Sequence, residues 1–350
     1  MRAGTGRGRL AVWGVAATFL AGTTLLGCGS DKKDSTSSTP TTAAAGAAGT
    51  ISMQAGLNDP KDPNIAVLAF LPQAVTVTAG STVEWKMAGP EPHSVTFFPP
   101  GKTAPAPGTD ETLYAPTPPV NGTFDPSRLI NSGLQPLGPA AAPPFRVTFP
   151  TAGTYSYVCV IHPQMTGTVN VVAAGGKVDT QAAVTARADT ESNQWLTEGR
   201  AAKATLSSTP PVSTKNADGT TTWKLQMGTT TAHTDVLAFA PPSADVKIGD
   251  TVTFVNNSGA PHTASFAGKG TLPQNPLDPA VGKPAPGASP QTLNATDFFN
   301  TGLLPPNAPP GAGPPEVARS FSFVVKTAGT YTYVCLLHAP SGMAGALKVA

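Results

Sequence analysis

Short runs rich in β-branched and aromatic residues, several of them alternating apolar with polar positions, dominate residues 51–173 and are bounded by Gly and Pro. They cover Ile65 to Phe70, Val75 to Val77, Thr82 to Met87, Ser94 to Phe98, Phe145 to Phe149, Thr154 to Val158 and Thr168 to Val172. Such spacing predicts the strands of an antiparallel sandwich or barrel. In the sixth run a period of two puts Tyr155, Tyr157 and Cys159 on one face and Thr154, Ser156 and Val158 on the other. Cys159 is therefore expected to end a strand and to point inward.

The pattern occurs twice. Val67-Leu68-Ala69-Phe70 returns as Val236-Leu237-Ala238-Phe239, and from there the copies run without a gap at an offset of 169 residues. Pro92-His93 matches Pro261-His262, and Asn131-Ser132-Gly133-Leu134 matches Asn300-Thr301-Gly302-Leu303. After seven extra residues in the second copy, Thr151-Ala152-Gly153-Thr154-Tyr155 returns as Thr327-Ala328-Gly329-Thr330-Tyr331. A period near 170 residues is too long for a solenoid unit and reads as duplication of a whole domain. The predicted organisation is all-β, with sandwiches over residues 51–173 and 221–350 and a partly helical linker over 174–220. Within the linker, Asp179 to Leu206 is rich in Ala, Gln, Glu and Arg, which predicts one or two connector helices with Asp179 as N-cap. Trp195 and Leu196 are expected to pack on a domain. Pro-rich stretches at about 99–144 and 268–316 hold neither His nor Cys and read as surface loops.

The N-terminus follows a different pattern. Arg2, Arg7 and Arg9 precede an apolar run from Leu10 to about Leu26, then Gly27 and Cys28. A basic region, an apolar core and small residues predict an export signal over 1–27. Leu25-Leu26-Gly27-Cys28 resembles the lipobox of bacterial lipoproteins, which implies cleavage before Cys28 and lipidation of its sulfur. An uncleaved anchor is the other reading, and the run is at the short end for spanning a bilayer. Both place the remainder outside the cytoplasm, and the first implies a membrane-anchored lipoprotein. Residues 28–50, rich in Ser, Thr, Ala and Gly, read as a flexible tether.

Composition narrows the functional classes. The 36 Gly and 38 Pro among 350 residues stay below the ~25–30% share that marks low-complexity chains. Charged residues make up 12%, about half of the ~25% usual for soluble domains, which speaks against a nucleic-acid partner. The net charge of +2 belongs to the leader, because residues 1–27 hold three of the basic residues and no acidic one. With 3 Cys and 5 His in all, a metal site must use nearly all of them.

Those few residues fall into four short pieces. The first copy has His93 and then Cys159-x2-His162-x2-Met165; the second has His262 and then Cys335-x2-His338-x4-Met343. Two imidazoles and a thiolate with a weak thioether are the ligand set of a type 1, or blue, copper centre. One short loop between two strands then supplies three ligands, and the upstream His ties in a neighbouring strand. A lone buried Cys, Met or His is ordinarily core filler or a satisfied polar group. Here the whole set repeats in order. A Cys159–Cys335 disulfide would leave the His and Met pattern unexplained, and a thioether position is unusual for structural zinc. His233 has no counterpart in the repeat and reads as a loop histidine.

These loops, with the Gly-Thr-Tyr-x-Tyr-x-Cys approach and the Met-x-Gly-x-(Val/Leu)-x-Val exit, resemble the cupredoxin family and within it the plastocyanin, pseudoazurin and amicyanin group. The shorter loop of the first copy is similar to that of amicyanin-like proteins and the longer loop of the second to that of plastocyanin-like ones. The resemblance implies two tandem Greek-key β-sandwiches, each with one type 1 copper held by His93, Cys159, His162 and Met165 or by His262, Cys335, His338 and Met343. It also implies electron transfer with redox partner proteins at the cell envelope, with no small-molecule substrate. The edges of His162 and His338 would lie near the surface in an apolar patch that includes Pro163 and Leu337. The family usually places Asn after the upstream His, where Ser94 and Thr263 stand here, so the bracing between ligand loops is expected to differ.

A catalytic role is not expected. Multicopper oxidases resemble this chain in fold but need eight His in paired motifs, and copper nitrite reductases need three more at a domain boundary. Only His233 is to spare. The competing reading is a lipoprotein that holds or delivers copper without serving a redox chain, since it would use the same ligands.

Overall fold

The computed structural model describes residues 47–107, 109–135, 142–273, 290–293, 296–307 and 319–350. The export signal and Cys28 lie outside them. The first domain comprises β1 (Thr50–Asp59), β2 (Asp62–Leu71), β3 (Ala74–Thr78), β4 (Ser81–Met87), β5 (Thr96–Phe97), β6 (Ile130–Asn131), β7 (Phe145–Phe149), β8 (Gly153–Cys159) and β9 (His162–Val172). One helix, α1 (Gln181–Ser208), follows. The second domain comprises β10 (Val212–Lys215), β11 (Thr221–Thr230), β12 (Thr234–Ala240), β13 (Ser243–Val246), β14 (Thr251–Asn256), β15 (Ser265–Phe266), β16 (Gln291–Thr292), β17 (Phe299–Asn300), β18 (Ser320–Val324), β19 (Gly329–Val334) and β20 (Ala344–Val349).

Each domain is a sandwich of two sheets. In the first, β2-β1-β4-β7 faces β3-β9-β8-β5-β6; in the second, β16-β18-β14-β11-β12, with β10 on β11, faces β13-β20-β19-β15-β17. Alternation builds the cores: on β8 Tyr157 and Cys159 are buried while Thr154 and Ser156 are exposed. Trp85, Phe97, Phe149 and Tyr157 fill the first core, and Phe254, Phe266, Phe323 and Tyr333 the second.

The sandwiches are not separate beads on a linker. Strands β2 and β12 pair antiparallel and join one sheet of each domain into a single ten-stranded sheet. The register is Thr234 to Val67, Asp235 to Ala66 and Val236 to Ile65. Ala66 and Asp235 are equivalent positions of the repeat, so the domains meet through the same strand about a local two-fold axis, as in a symmetric dimer. This pairing explains a departure from simple alternation: β2 is buried without a break from Ile65 to Leu71. Ala66 and Leu68 enter the second domain's core cluster and Phe70 the first, while Ile65, Val67, Ala69 and Leu71 pack with Trp195 and Leu196 of α1. A strand covered on both faces reads as continuous apolar sequence.

The connector is one helix laid across this junction. Thr180, not Asp179, caps it, its side chain accepting from the Ala183 N–H at 3.2 Å. Asp179 instead accepts from the Thr76 N–H and pairs with Arg187 at 2.7 Å. The helix stops at Thr209, before Pro210-Pro211, which cannot continue it. Arg200 grips Asp59 with two bonds of 2.6 and 2.9 Å, and Lys203 holds Asp62 at 2.6 Å, so the helix is tied to the β1–β2 turn by charge as well as by apolar burial. The Thr234 hydroxyl donates to the Trp195 carbonyl at 3.0 Å on the β12 side.

The Pro-rich stretches correct the surface-loop expectation in part. Leu113, Phe124, Ile130 and Leu134 are buried in the first core, and Leu293, Phe299 and Leu304 in the second. Burying a large apolar side chain is worth about 1.5–3 kcal/mol, so these segments close the sandwiches as well as covering them.

Candidate functional site

Each sandwich gathers the sequence-predicted residues at one end. His93 is held by a two-way backbone bridge to Gln135, with bonds of 2.7 and 2.8 Å, and His262 by the same bridge to Leu304, at 3.1 and 2.8 Å. Cys159 ends β8, and β9 begins at His162. Cys335 directly follows β19, and its loop closes on itself: the Cys335 N–H donates to the Met343 carbonyl and the Met343 N–H to the His338 carbonyl, at 3.0 and 3.1 Å. Met165 and Met343 are fully buried in the same core clusters as the cysteines. Both Cys159 and Cys335 are free thiols, which removes the disulfide alternative.

The donor atoms converge. His93, Cys159 and His162 form one cluster and His262, Cys335 and His338 another, with the ligating atoms of each within 4.8 Å of one another. In the first, His93 Nδ1 lies 3.2 Å from His162 Nδ1, which lies 3.4 Å from Cys159 Sγ. In the second, the two Nδ1 atoms are 2.9 Å apart and Cys335 Sγ is 3.6 Å from His262 Nδ1 and 3.2 Å from His338 Nδ1. Nitrogen and sulfur donors at metal-bond lengths lie about 3.3–3.8 Å apart, so a single ion fits each triangle with little movement. Backbone N–H groups of Ser94 and Thr263 donate to the sulfurs at 3.4 and 3.3 Å, a placement that suits a thiolate. His233 joins neither cluster; its ring lies on Trp195, with centroids 4.3 Å apart.

The hydroxyls after the upstream histidines do bridge the ligand loops. Ser94 Oγ accepts from the Val160 N–H at 3.0 Å and Thr263 Oγ1 from the Leu336 N–H at 2.9 Å. A buried hydroxyl chain continues from Ser94 to Thr96 and on to Asn131, and from Thr263 to Ser265 and on to Asn300. The asparagines stand on the repeated Asn-x-Gly-Leu motif, so that motif carried a signal the sequence reading did not use.

Two glycines were also missed. Gly56 and Gly228 sit at positive φ, +71° and +66°, in the bulges of β1 and β11. A Cβ on Gly56 would overlap the His93 ring, and one on Gly228 would stand 2.9 Å from His262 Nε2 and 2.6 Å from the Ser258 Cβ. The repeated Gln54-Ala55-Gly56 and Gln226-Met227-Gly228 is the sequence trace of this close approach. Gly56→Ala is therefore expected to push His93 out of its cluster and to weaken metal binding at least tenfold in the first domain alone, as read by metal titration of the full chain.

The expectation of surface-exposed histidine edges is corrected: His162 and His338 are 1% and 2% exposed. The two-fold arrangement turns each ligand loop toward the other domain. The Gly259 Cα faces Gln164 of the first loop closely enough that an added Cβ would meet its Nε2 at 2.6 Å. On the other side, Asn64 Nδ2 donates to the Ser341 carbonyl at 2.7 Å, and Ser341 Oγ donates to Glu91 Oε1 at 2.8 Å. Glu91 Oε2 lies 2.9 Å from His338 Nε2, both groups being 2% exposed.

The electrostatics of the two clusters differ accordingly. Burial pushes His93 down to about 4 and holds His162 and His262 well below the ordinary histidine value. Burial raises the Cys159 thiol, only partly opposed by its hydrogen bonds from Ser94 and the ligand loop. In the second cluster burial works against charge too, but the Glu91 carboxylate and the Cys335 sulfur hold His338 well above its ordinary value, and His338 in turn draws Cys335 down. The two sites therefore differ in their surroundings: a carboxylate lies 2.9 Å from a histidine of the second, and among the described residues none is paired with a histidine of the first.

Residues 61–172 match the profile of a family described as copper binding proteins, plastocyanin/azurin family. Plastocyanin of Scenedesmus fuscus is 33% identical over 118 residues, 34% of this chain and 92% of that protein. The chloroplastic plastocyanin of Physcomitrium patens is 33% identical over 163 residues, covering 47% of this chain and 76% of that protein. A mutant fern plastocyanin, 25% identical, covers 35% of this chain and 99% of its own length with a TM-score of 0.22. With a family profile on the first domain and a relative matched across 92% of its length, the chain belongs to the plastocyanin/azurin family of copper-binding proteins.

Proposed function

We propose that this chain is an electron-transfer protein with one type 1 copper in each domain, held by His93, Cys159, His162 and Met165 and by His262, Cys335, His338 and Met343. The observation that carries the reading is the repeated triangle of two Nδ1 atoms and one Sγ, each with a buried Met in the core cluster of its cysteine. The family match lies on the first domain; the second enters because it repeats the donor geometry. Copper bound there would supply a one-electron Cu(II)/Cu(I) couple. The chain's own part is to fix the donors before the ion arrives and to keep water out. Backbone bridges hold the upstream histidines, hydroxyl chains brace the loops, and the eight ligands are at most 2% exposed. A preformed, dry cage changes little between oxidation states, which favours fast transfer.

The same burial favours retention over delivery, because a copper donor must let its ion out. With four of the five histidines in the two clusters, none of the paired His motifs of a copper oxidase is available, which supports a carrier rather than an enzyme. The lipobox-like Cys28 supports a place outside the cytoplasm on a lipid anchor, with redox proteins of the envelope as partners. No helix among the described residues is long and apolar enough to cross a membrane. Spectroelectrochemistry of the copper-loaded chain tests the reading. Two reversible blue couples are expected; colourless copper, or copper lost within minutes to a chelator, would favour the holding or delivery role instead.

A further inference from the structure

Glu91 is a first-domain residue whose carboxylate touches a ligand of the second domain. It is buried, its Oε1 is anchored by Ser341, and no hydrogen-bond donor is aligned on its Oε2, which lies 2.9 Å from His338 Nε2. The other ligand of that site is backed in the same way. His262 Nε2 lies 2.8 Å from Ser258 Oγ, which donates to Asp235 Oδ2 at 2.6 Å. At the repeat offset of 169, Glu91 becomes Ala260, Asp235 becomes Ala66 and Ser258 becomes Gly89. Among the described residues no carboxylate is paired with His93 or His162. The local two-fold axis gives both sites the same neighbourhood, and divergence of the copies has left both acidic groups in contact with the second; Glu91 acts on His93 of the first only through space.

Resting on the electron-transfer reading, we propose that Glu91 is a positioning residue acting across the domain boundary, and that with Asp235 it holds the second copper site at a lower reduction potential than the first. A carboxylate 2.9 Å from the outer nitrogen of an imidazole ligand favours positive charge on the ring and on the ion it holds, and so tunes the site without being a ligand. Negative charge beside the site also favours the more highly charged ion. With copper held by His262, Cys335, His338 and Met343 and by His93, Cys159, His162 and Met165, this difference in potential would favour one electron moving from the reduced second site to the oxidised first, with no bond or proton changing hands. Glu91 stands two residues before His93, so the carboxylate beside His338 of the second site is linked through Pro92 to a ligand of the first.

The test uses the full copper-loaded chain with one site at a time, Cys159→Ser to read the second and Cys335→Ser to read the first. The second couple should lie below the first. Glu91→Gln should shift the second site's Cu(II)/Cu(I) constant at least tenfold toward Cu(I), which is 59 mV or more, and the first by threefold or less. A second site already above the first, no shift in it, or equal shifts in both would overturn the proposal. Ser341→Ala, which frees only the anchoring oxygen, should give a smaller shift in the same direction and serves should Glu91→Gln fold poorly. In the metal-free chain, Glu91→Gln should move the ring-nitrogen resonances of His338 and leave those of His162 in place. An unmoved His338 refutes the positioning role whether or not copper gives colour, whereas absence of blue copper with His338 moved refutes the type 1 reading alone.

Discussion

Cys159→Ser should halve the copper held per chain and leave the second site's absorption intact, and Cys335→Ser should do the converse. The sulfur is the soft donor that a hydroxyl cannot replace toward copper, and the intense blue band belongs to a copper–thiolate bond. The fold should survive the change. Ser is smaller, and the N–H groups of Ser94 and Thr263 that now point at sulfur, at 3.4 and 3.3 Å, remain available to its oxygen. The cost in stability is about 1–3 kcal/mol, that of an imperfectly satisfied buried hydroxyl. Metal analysis and absorption of the two variants decide the matter. Colour lost from both sites in either variant would mean that the domains do not bind independently, and full colour in either would remove the cysteine from the site.

The contrast between what the chain announces and what it hides follows from how local each feature is. The clusters were legible because three donors of each lie within seven or nine consecutive residues at one strand-to-strand connection, so closeness in sequence is closeness in the fold. The strands were legible for a similar reason: on β8 the alternation of Tyr155, Tyr157 and Cys159 against Ser156 and Val158 reflects one buried face. Pairing of β2 with β12 was not, because it depends on which edge of a finished sandwich meets which. Its trace was present all the same in the unbroken apolar run from Ile65 to Leu71, which one-sided burial does not require. Glu91 was hidden for the same reason, as a lone acidic residue beside a proline until the second domain arrives. Asp179 was misread as the cap because Asp and Thr are both good N-caps, and the choice fell to Thr180 once Arg187 and the Thr76 N–H claimed the carboxylate. The Pro-rich stretches looked like loops by composition, yet their few apolar residues, Leu113, Phe124 and Ile130 among them, are the ones that enter the core.

Gly199→Leu carries the largest expected effect on the assembly of the two domains. Gly199 lies where α1 crosses the β2–β12 junction, and an added Cβ would stand 2.5 Å from Thr234 Cγ2 and 2.6 Å from Ile65 Cγ2, one methyl from each domain. Both methyls sit on paired strands and cannot swing away, so the helix must lift. Lifting it uncovers Trp195 and Leu196, strains the Arg200–Asp59 and Lys203–Asp62 pairs, and loosens the only helix among the described residues that spans both sandwiches. Overpacking costs about 1–3 kcal/mol, and lost aromatic burial adds to it, so a fall in Tm of several degrees is expected. Ala204→Leu, on an exposed turn of the same helix, should stay within about 0.5 kcal/mol of the parent. The functional consequence is unequal. Both ligand loops face the other domain, but among the described residues only the second has a carboxylate of that domain against a ligand, Glu91 lying 2.9 Å from His338 Nε2. Redox titration of Gly199→Leu should therefore move the second couple and leave the first in place. An unchanged Tm, or two couples displaced together, would show that the helix does not set the seating of one domain on the other.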